Sequence, residues 1–576
     1  MSLVDNKALT EKREFSDSSP PSTTHDGQRV AKNGGAFARA ELPSDGIKMD
    51  ASGIPTYMGA NGKRLDWLIT TAASCGFILF GYDQGVMSGL ISSPQFVRTF
   101  TRADPAIHGS YDASVWQAFY VAIYTVGCLG GAVFALMFGD RLGRRKMIAA
   151  GSYVMCAGIL LQVTSFKGHA ESAQYIIGRL VAGFGTGFHT STIPTWHAEC
   201  AKAHSRGLAV FIEAAMISTG TMLSYWIDLG FSFMESDASW RVPVALQCIF
   251  AVILNIMIVW LPDSPRWLIS RGHMAEAQRV IAALEPAPLN SEAVVLQVKI
   301  IHDALEGQTR QRKRDLLTGG PSQHFRRVAV GSSSQFFQQI GGCNAVIYFS
   351  TVIFEDYLGV ERTMALILGS VLATVYAISA CISFPLVDRA GRRLLFFVGT
   401  IGQAGSMFLI MGCVIPGTES SARYGAVVGL FLFLIFFGFT WLELPWLYPA
   451  EINPIKTRTN ANAVSTINNW LWNFTVVMFT PIFLASTAVG TFAFFGVMNL
   501  LFLPVIQFFY IETSGRSLEE IDIIFARAYT EKQSYVRMAA EMPRLSGADI
   551  EQEWRRLGLT DEERAVAAGA EGTVVP

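Results

Sequence analysis

An acidic residue followed seven positions later by arginine closes two long apolar stretches of this 576-residue chain, as Glu199 with Arg206 and again as Glu451 with Arg458. A second motif repeats with it at nearly the same separation, Asp140-Arg141-Leu142-Gly143-Arg144-Arg145 returning as Asp388-Arg389-Ala390-Gly391-Arg392-Arg393. Two signatures that recur together mean that the chain is two copies of one unit joined head to tail. The unit is apolar: 51% of residues are hydrophobic, 40 of them Phe, and only 16% are charged. A soluble fold of this length has no means of hiding so much apolar surface. The pattern expected is an all-α polytopic membrane protein built as two bundles, the plan of a secondary transporter.

Stretches long enough to cross about 30 Å of hydrocarbon are expected at 67–91, 115–137, 147–164, 173–195, 207–231 and 241–261, then at 329–353, 364–386, 394–415, 424–448, 459–485 and 488–510. This predicts a polar cytoplasmic tail at 1–63, disordered by composition, then a six-helix domain at 64–262. A linker at 263–328, a second six-helix domain at 329–511 and a cytoplasmic tail at 512–576 complete the division. The linker holds Arg266, Arg271, Lys299, Arg310, Arg312, Lys313, Arg314, Arg326 and Arg327, which the positive-inside rule assigns to the cytoplasm. An even number of spans then returns both termini to that side. Met274 to Glu285 and Glu292 to Glu306 read as amphipathic helices, and so does the run from Leu518 to Phe525. The chain from Gln533 onward is expected to be partly disordered.

A charge at the centre of a membrane helix costs about 2.5–3.5 kcal/mol on insertion scales. Asp83 in the first span and Arg179 in the fourth therefore need either a functional or a packing reason. As a pair they would couple protonation of Asp83 to release of Arg179; the alternative is a static ion pair. Asp140, Arg144, Glu199, Arg206, Asp388, Arg392, Glu451 and Arg458 fall at the cytoplasmic helix ends. They suit a gate network holding the bundles together there, against the simpler reading of basic loops that set topology. Gln338, Gln339, Asn344 and Tyr348 in the seventh span, with Trp446, Asn469, Trp470 and Asn473, supply uncharged donors and acceptors of the kind a neutral polyhydroxylated solute requires; interhelical hydrogen bonding is the competing use.

Nothing points to a cofactor or a metal. The eight cysteines lack paired spacing, His189 and His197 read as packing or interfacial residues, and Gly341-Gly342 lies in an apolar stretch and not in a phosphate loop. A net charge of −1 gives no reason to expect a nucleic-acid partner. The partners expected are a small polyol or sugar, protons and the lipid bilayer, with a monomeric transport unit. The sequon Asn473-Phe474-Thr475 lies inside a span and should not be glycosylated.

Gly139-Asp140-Arg141-x-Gly143-Arg144-Arg145, Pro194-x-Trp196-x-x-Glu199 with Arg206-Gly207, Pro262-Asp263-Ser264-Pro265-Arg266-Trp267-Leu268, Gln338-Gln339 with Asn344, and Glu512-Thr513-Ser514-Gly515-Arg516 together resemble the sugar porter family of the major facilitator superfamily, over about residues 64–530. The resemblance implies about twelve helices, alternating access and a central site of hexose or polyol size. It puts Asp83 and Arg179 at the proton-coupling positions, and Gln338, Gln339, Asn344, Tyr348, Trp446, Asn469 and Asn473 at substrate-contacting ones. Phe80-Gly81-Tyr82-Asp83-Gln84-Gly85, Ser191 to Trp196, Tyr225-Trp226-Ile227-Asp228 and Ser517 to Phe525 are similar to fungal glycerol/proton symporters of the plasma membrane. Ala214 stands where hexose carriers of the family have a sugar-binding Gln, Leu442 where a pocket Gly is usual and Asn469 where a longer Gln is usual. These departures fit a small polyol or a loosened sugar specificity. A hexose or pentose facilitator and a non-transporting nutrient sensor remain the alternatives.

Overall fold

The computed structural model describes residues 49–50, 53–201, 206–308, 316–416, 421–454 and 457–557. Most of the N-terminal tail, the Arg310 to Arg314 cluster and the last residues of the chain thus lie outside the described residues. Among those described, twelve helical stretches are long enough to span a bilayer. They are α1 (Gly62–Leu90), α2 (Ser110–Leu142), α3 (Arg144–Val163), α4 (Glu171–Cys200), α5 (Arg206–Phe231) and α6 (Ala238–Trp260), then α7 (His324–Ile340 continued by Cys343–Val352), α8 (Arg362–Ala390), α9 (Arg392–Val414), α10 (Arg423–Phe436 continued to Leu444–Ile452), α11 (Arg458–Ser486) and α12 (Ala488–Phe509). Eight of these pass on length and apolar composition. The other four are α4, α5, α7 and α11, the helices that hold Arg179, Glu213, the glutamine run of Gln335 to Gln339 and the asparagines Asn468, Asn469 and Asn473. The helices least suited to lipid are the ones with polar chemistry inside.

The packing repeats as the sequence does. In the first half α1 packs on α5, α2 and α3 on α4, and α3 on α6; in the second, α7 packs on α11, α8 and α9 on α10, and α9 on α12. The halves meet through α2 on α11, α5 on α8 and α1 on α7, a set that maps onto itself when the two halves are exchanged. Without a hydrophobic drive between helices in lipid, such contacts depend on close backbone approach through small residues. Gly127, Gly131, Gly183 and Gly187 provide it between α2 and α4, since a Cβ on any of them would fall inside van der Waals contact with backbone of the facing helix.

The repeated Asp-Arg-x-Gly-Arg-Arg motif forms the tight α2–α3 and α8–α9 turns. Gly143 and Gly391 adopt φ of 89° and 85°, conformations that an L side chain rarely takes. A Cβ at Gly143 would meet the Trp267 ring at 2.9 Å, and one at Gly391 would meet the Glu512 carboxylate at 2.5 Å. Carboxylates lie at the N-termini of the helices that follow, favoured there by the helix dipole. Glu512 accepts from the backbone N–H of Arg392 (2.9 Å) and Arg393 (3.0 Å), and Asp263 bonds the backbone N–H of Arg145. Burial pushes the Asp263 carboxyl up, opposed by the Ser264 N–H and the Arg145 guanidinium.

One expectation needed correction, and part of the C-terminal tail proved more ordered than composition suggests. Neither the seventh nor the tenth span is a continuous helix: α7 breaks at Gly341–Gly342, where Gly342 has φ of 98°, and closes with a π-helical turn at Ile353–Tyr357. In α10 a π-helical turn over Phe437–Trp441 precedes the restart at Leu444. The tail after Gln533 is also helical as far as the described residues go, at Tyr535–Glu541 and Gly547–Arg556. It is tied back by Arg516, which donates to Ala539 O (2.8 Å) and Met542 O (2.7 Å), and by Glu520, which accepts from Leu545 N–H (2.8 Å). The linker helices Met274–Leu284 and Glu292–Gln308 lie where amphipathic periodicity puts them.

Replacing Gly183 by Val forces α2 and α4 apart and should destabilise the fold by about 1–3 kcal/mol. Gly405→Ala, at a position with open space around it, should be neutral. Thermal unfolding of the two variants in one detergent, followed by size-exclusion, compares them directly.

Candidate functional site

Asp83 sits on α1 between Gly81 and Gly85, whose missing side chains let α5 approach: Thr221 donates to Gly81 O at 3.0 Å. Arg179 reaches it from α4, Nη1 lying 2.9 and 3.2 Å from the two carboxylate oxygens, and both side chains are 0% exposed. Arg179 Nε donates to Tyr120 O (3.3 Å), and the guanidinium lies 4.6 Å from the centre of the Tyr124 ring. Tyr348, from the other half, is within electrostatic reach of both members of the pair. The two residues inferred from sequence to interact are thus joined, and a residue of α7 faces them.

The amides form a closed chain. Gln338 Nε2 donates to the carbonyls of Trp441 (2.7 Å) and Leu442 (3.1 Å); Trp441 O has no helical donor because Pro445, four residues on, lacks an N–H, and Trp446 N–H bonds Glu443 O in place of Leu442 O. Gln338 Oε1 accepts from Gln339 (3.3 Å) and Asn469 (3.0 Å). Asn344 bonds Gln339 across the Gly341–Gly342 break, so the shared helix face expected of these residues is replaced by a contact over a turn. Gln335, one turn earlier and not singled out in the sequence, accepts from Asn469 (2.5 Å) and donates to Pro445 O (2.7 Å). Beside this chain, Tyr348 Oη, Trp470 Nε1 and Asn473 Oδ1 are buried without a hydrogen-bond partner, and the Phe80 ring of α1 meets Trp470 edge-on at 5.5 Å. Trp446 is half-buried just past the break, its backbone N–H bonding Glu443 O (3.0 Å), and it follows Pro445, whose carbonyl Gln335 holds.

The ion pairs described at the basic helix ends each lie within one half. Arg144 binds Asp140 (2.9 Å) and Glu199 (3.1 Å) inside the first half. Arg392 binds Glu451 (2.9 Å) inside the second, with Thr513 donating to the same carboxylate at 2.6 Å. Arg458 donates to Asn453 O at 3.5 Å. The side chains of Arg206 and Asp388 lie outside the described residues. The halves are instead tied at the opposite end, where Arg362 of α8 binds Glu355 (3.0 Å), Ser92 O (3.0 Å) and Gly89 O (3.1 Å). Tyr225 of α5 donates to Ile347 O at 2.6 Å and lies 2.7 Å from Ser350 Oγ.

Intramembrane acidic residues beyond Asp83 escaped the search for charges, although the rule that found Asp83 applies to them. Glu213 accepts from His197 (2.8 Å), whose other ring nitrogen lies 3.1 Å from Thr70 Oγ1; His189 is a buried packing residue held by Ser152 (3.1 Å) and Ile148 O (3.0 Å). Asp228 is buried beneath Gly89. Glu443, just past the break in α10, is buried with both carboxyl oxygens unpaired. Among the described residues no cluster of side chains suited to a metal is present.

Arg362→Ala removes a set of charge-assisted bonds across the halves at one end, worth at least about 1.5 kcal/mol or roughly tenfold in population. Labelling of a cysteine engineered into the α1–α7 wall, reached from the Arg362 end, should accelerate accordingly; an unchanged rate would leave Arg362 as a packing residue.

Comparison with known proteins agrees with this architecture. The family model for sugar (and other) transporters matches residues 68–525. The chain is 45% identical to the sugar transporter STL1 of Saccharomyces cerevisiae over 88% of its own length and 90% of that protein. It is 41% identical to the major facilitator superfamily transporter mfsA of Aspergillus fumigatus over 89% and 95%. A solved structure of the proton:xylose symporter XylE bound to 6-bromo-6-deoxy-D-glucose superposes with a TM-score of 0.68 at 24% identity, covering 81% of this chain and all of that one. Twelve helices in two interlocking sixes, a buried carboxylate–guanidinium pair and an amide-rich seam make this chain a membrane transporter and not an enzyme, and it belongs to the sugar porter family of the major facilitator superfamily.

Proposed function

We propose that the chain is a proton-coupled symporter that imports a small neutral polyol or monosaccharide, glycerol favoured, by alternating access. The observation that carries the reading is the fully buried Asp83–Arg179 pair facing Tyr348. An ionised Asp83 holds Arg179, whereas a protonated one releases it, so a proton changes what α1, α4 and α7 can do together. The solute side rests on the unpaired polar atoms of Tyr348, Trp470 and Asn473 beside the Gln338, Gln339, Asn344 and Asn469 chain. Hydroxyl groups satisfy such atoms, and the Gln338, Gln339, Asn344 and Asn469 side chains beside them are uncharged. Buried Ala214 and Leu442 shorten the polar reach available to a hexose, which favours the smaller solute. XylE, whose fold this chain shares, is a proton:xylose symporter, so proton-coupled transport is compatible with this architecture.

In this proposal residues 64–262 and 329–511 are the moving six-helix domains, the basic end faces the cytoplasm with both tails, the plasma membrane is the site of action and one chain is the transport unit. Asp140, Arg144 and Glu199, and Arg392, Glu451 and Arg458, brace each domain from within at that end. They act as gate elements by keeping each half's helix ends rigid, with Arg206 and Asp388 completing the two sets.

Uptake of labelled glycerol, glucose and xylose in a transporter-null cell, with external pH recorded, tests the reading. A proton falling through about 100 mV supplies about 2.3 kcal/mol and one pH unit about 1.4 more, enough for several hundred-fold accumulation. Asp83→Asn should abolish accumulation and leave downhill exchange; accumulation that survives this change or an uncoupler would sink the symport claim.

Tyr348→Phe deletes a hydroxyl that has no internal partner. It should therefore leave thermal stability unchanged while weakening solute binding by about 0.5–1.5 kcal/mol, roughly two- to tenfold. Competition uptake at matched protein levels reads the affinity, and an unaltered value would remove Tyr348 from the binding surface.

A further inference from the structure

Glu443 occupies a place for which neither the amide chain nor the Asp83–Arg179 pair provides a use. It is 1% exposed, and neither oxygen has a hydrogen-bond partner. It lies between the π-helical turn Phe437–Trp441 and the helical restart at Leu444. No ion pair to it is found among the described residues, and the Tyr376 phenol of α8 lies close enough to interact with it. The groups that α7 and α9 present to the same break are the Gln335 and Gln338 amides, Thr400 Oγ1 and Phe396 O, all uncharged. Asp83 has Arg179 and Glu213 has His197, but Glu443 has no base. An unpaired carboxylate sealed in such surroundings costs several kcal/mol, whereas the neutral acid forgoes only a hydrogen bond.

We propose that Glu443 is a second proton-carrying site, loaded in the conformation seen here and discharged when α10 opens at its break. The inference rests on the symport reading above and goes beyond it, because it fixes the number of protons moved per solute at two. On opening, the Glu443 O–H bond breaks, its electron pair stays on the carboxylate and the proton passes to water on the side then accessible. Reprotonation from the other side restores the neutral acid that the closed break accepts. Location supports the assignment: α10 is already locally unwound beside Glu443, and the Trp441, Leu442 and Pro445 carbonyls that flank it accept from the Gln335 and Gln338 side chains, contacts that exchange for water as the helix moves.

The test is the proton-to-solute ratio of the full chain reconstituted in vesicles with the membrane voltage clamped at zero. Labelled glycerol is the probe, with glucose and xylose run in parallel. The null-flux point is decisive, since each coupled proton balances about a tenfold solute gradient per pH unit. A ratio of two in the wild type, one in Glu443→Gln and two again in Glu443→Asp is the expected result. A wild-type ratio of one, or a ratio of two kept by Glu443→Gln, overturns the role of Glu443 and leaves symport through Asp83 standing. A wild-type ratio of zero overturns both. The wild-type measurement decides between one proton and two even where Glu443→Gln does not fold.

Discussion

Hydrocarbon offers no partner to a backbone carbonyl, so every place where a membrane helix of this protein departs from α-geometry needs a protein donor. Pro445 and Pro449 lack the N–H groups that would close helical bonds to Trp441 O and Pro445 O, Trp446 N–H turns to Glu443 O and leaves Leu442 O, and three bonds from the Gln338 and Gln335 amides of α7 meet these carbonyls. Those amides are in turn oriented by Gln339 and Asn469. The seam between α7, α10 and α11 is thus one hydrogen-bonded unit, and a solute that competes for any of its amides acts on the geometry of α10. Binding and helix conformation share the same atoms.

The same economy operates where the halves meet. In the state described, the Tyr225 bonds and the Arg362 cluster join the halves toward the end away from the basic turns, while the Arg144–Glu199 and Arg392–Glu451 pairs at the basic end each lie within one half. Contacts across the halves at one end suit rocking about the central helices. Because the interface maps onto itself under exchange of the halves, a small rotation opens α2 from α11 and α5 from α8 together.

Much of this was legible in the chain. The repeat, the twelve spans and the two linker helices follow from hydropathy and spacing, and Asp83 with Arg179 follows from the rarity of charge in hydrocarbon. The partners of the basic-end charges were not legible, because Arg144 pairs equally well on paper with an acid of either half, and helix packing alone decides for Glu199. Gln335 was hidden because its partners Asn469 and Pro445 are remote in sequence, and only the packing of α7 on α10 and α11 brings them together. The tail helices beyond Gln533 were missed since their support comes from Arg516 and Glu520, outside any local pattern. Gly341–Gly342 read as part of a helix because glycine in a membrane span is common, and only the φ of Gly342 distinguishes a break from a packing contact.

One residue advances the azimuth of an α-helix by about 100°. The wider turn at Phe437–Trp441 accommodates an extra residue, so Leu444–Ile452 is out of phase with Arg423–Phe436 and the two parts of α10 turn different sequence positions toward α7. Losing a single codon in that stretch would turn the wide turn into an ordinary α-turn, removing the local widening beside Leu442 and Glu443 while Leu444–Ile452 keeps the face it presents. Length at this turn therefore sets whether α10 carries a break at all, independently of which side chains its two parts show to α7.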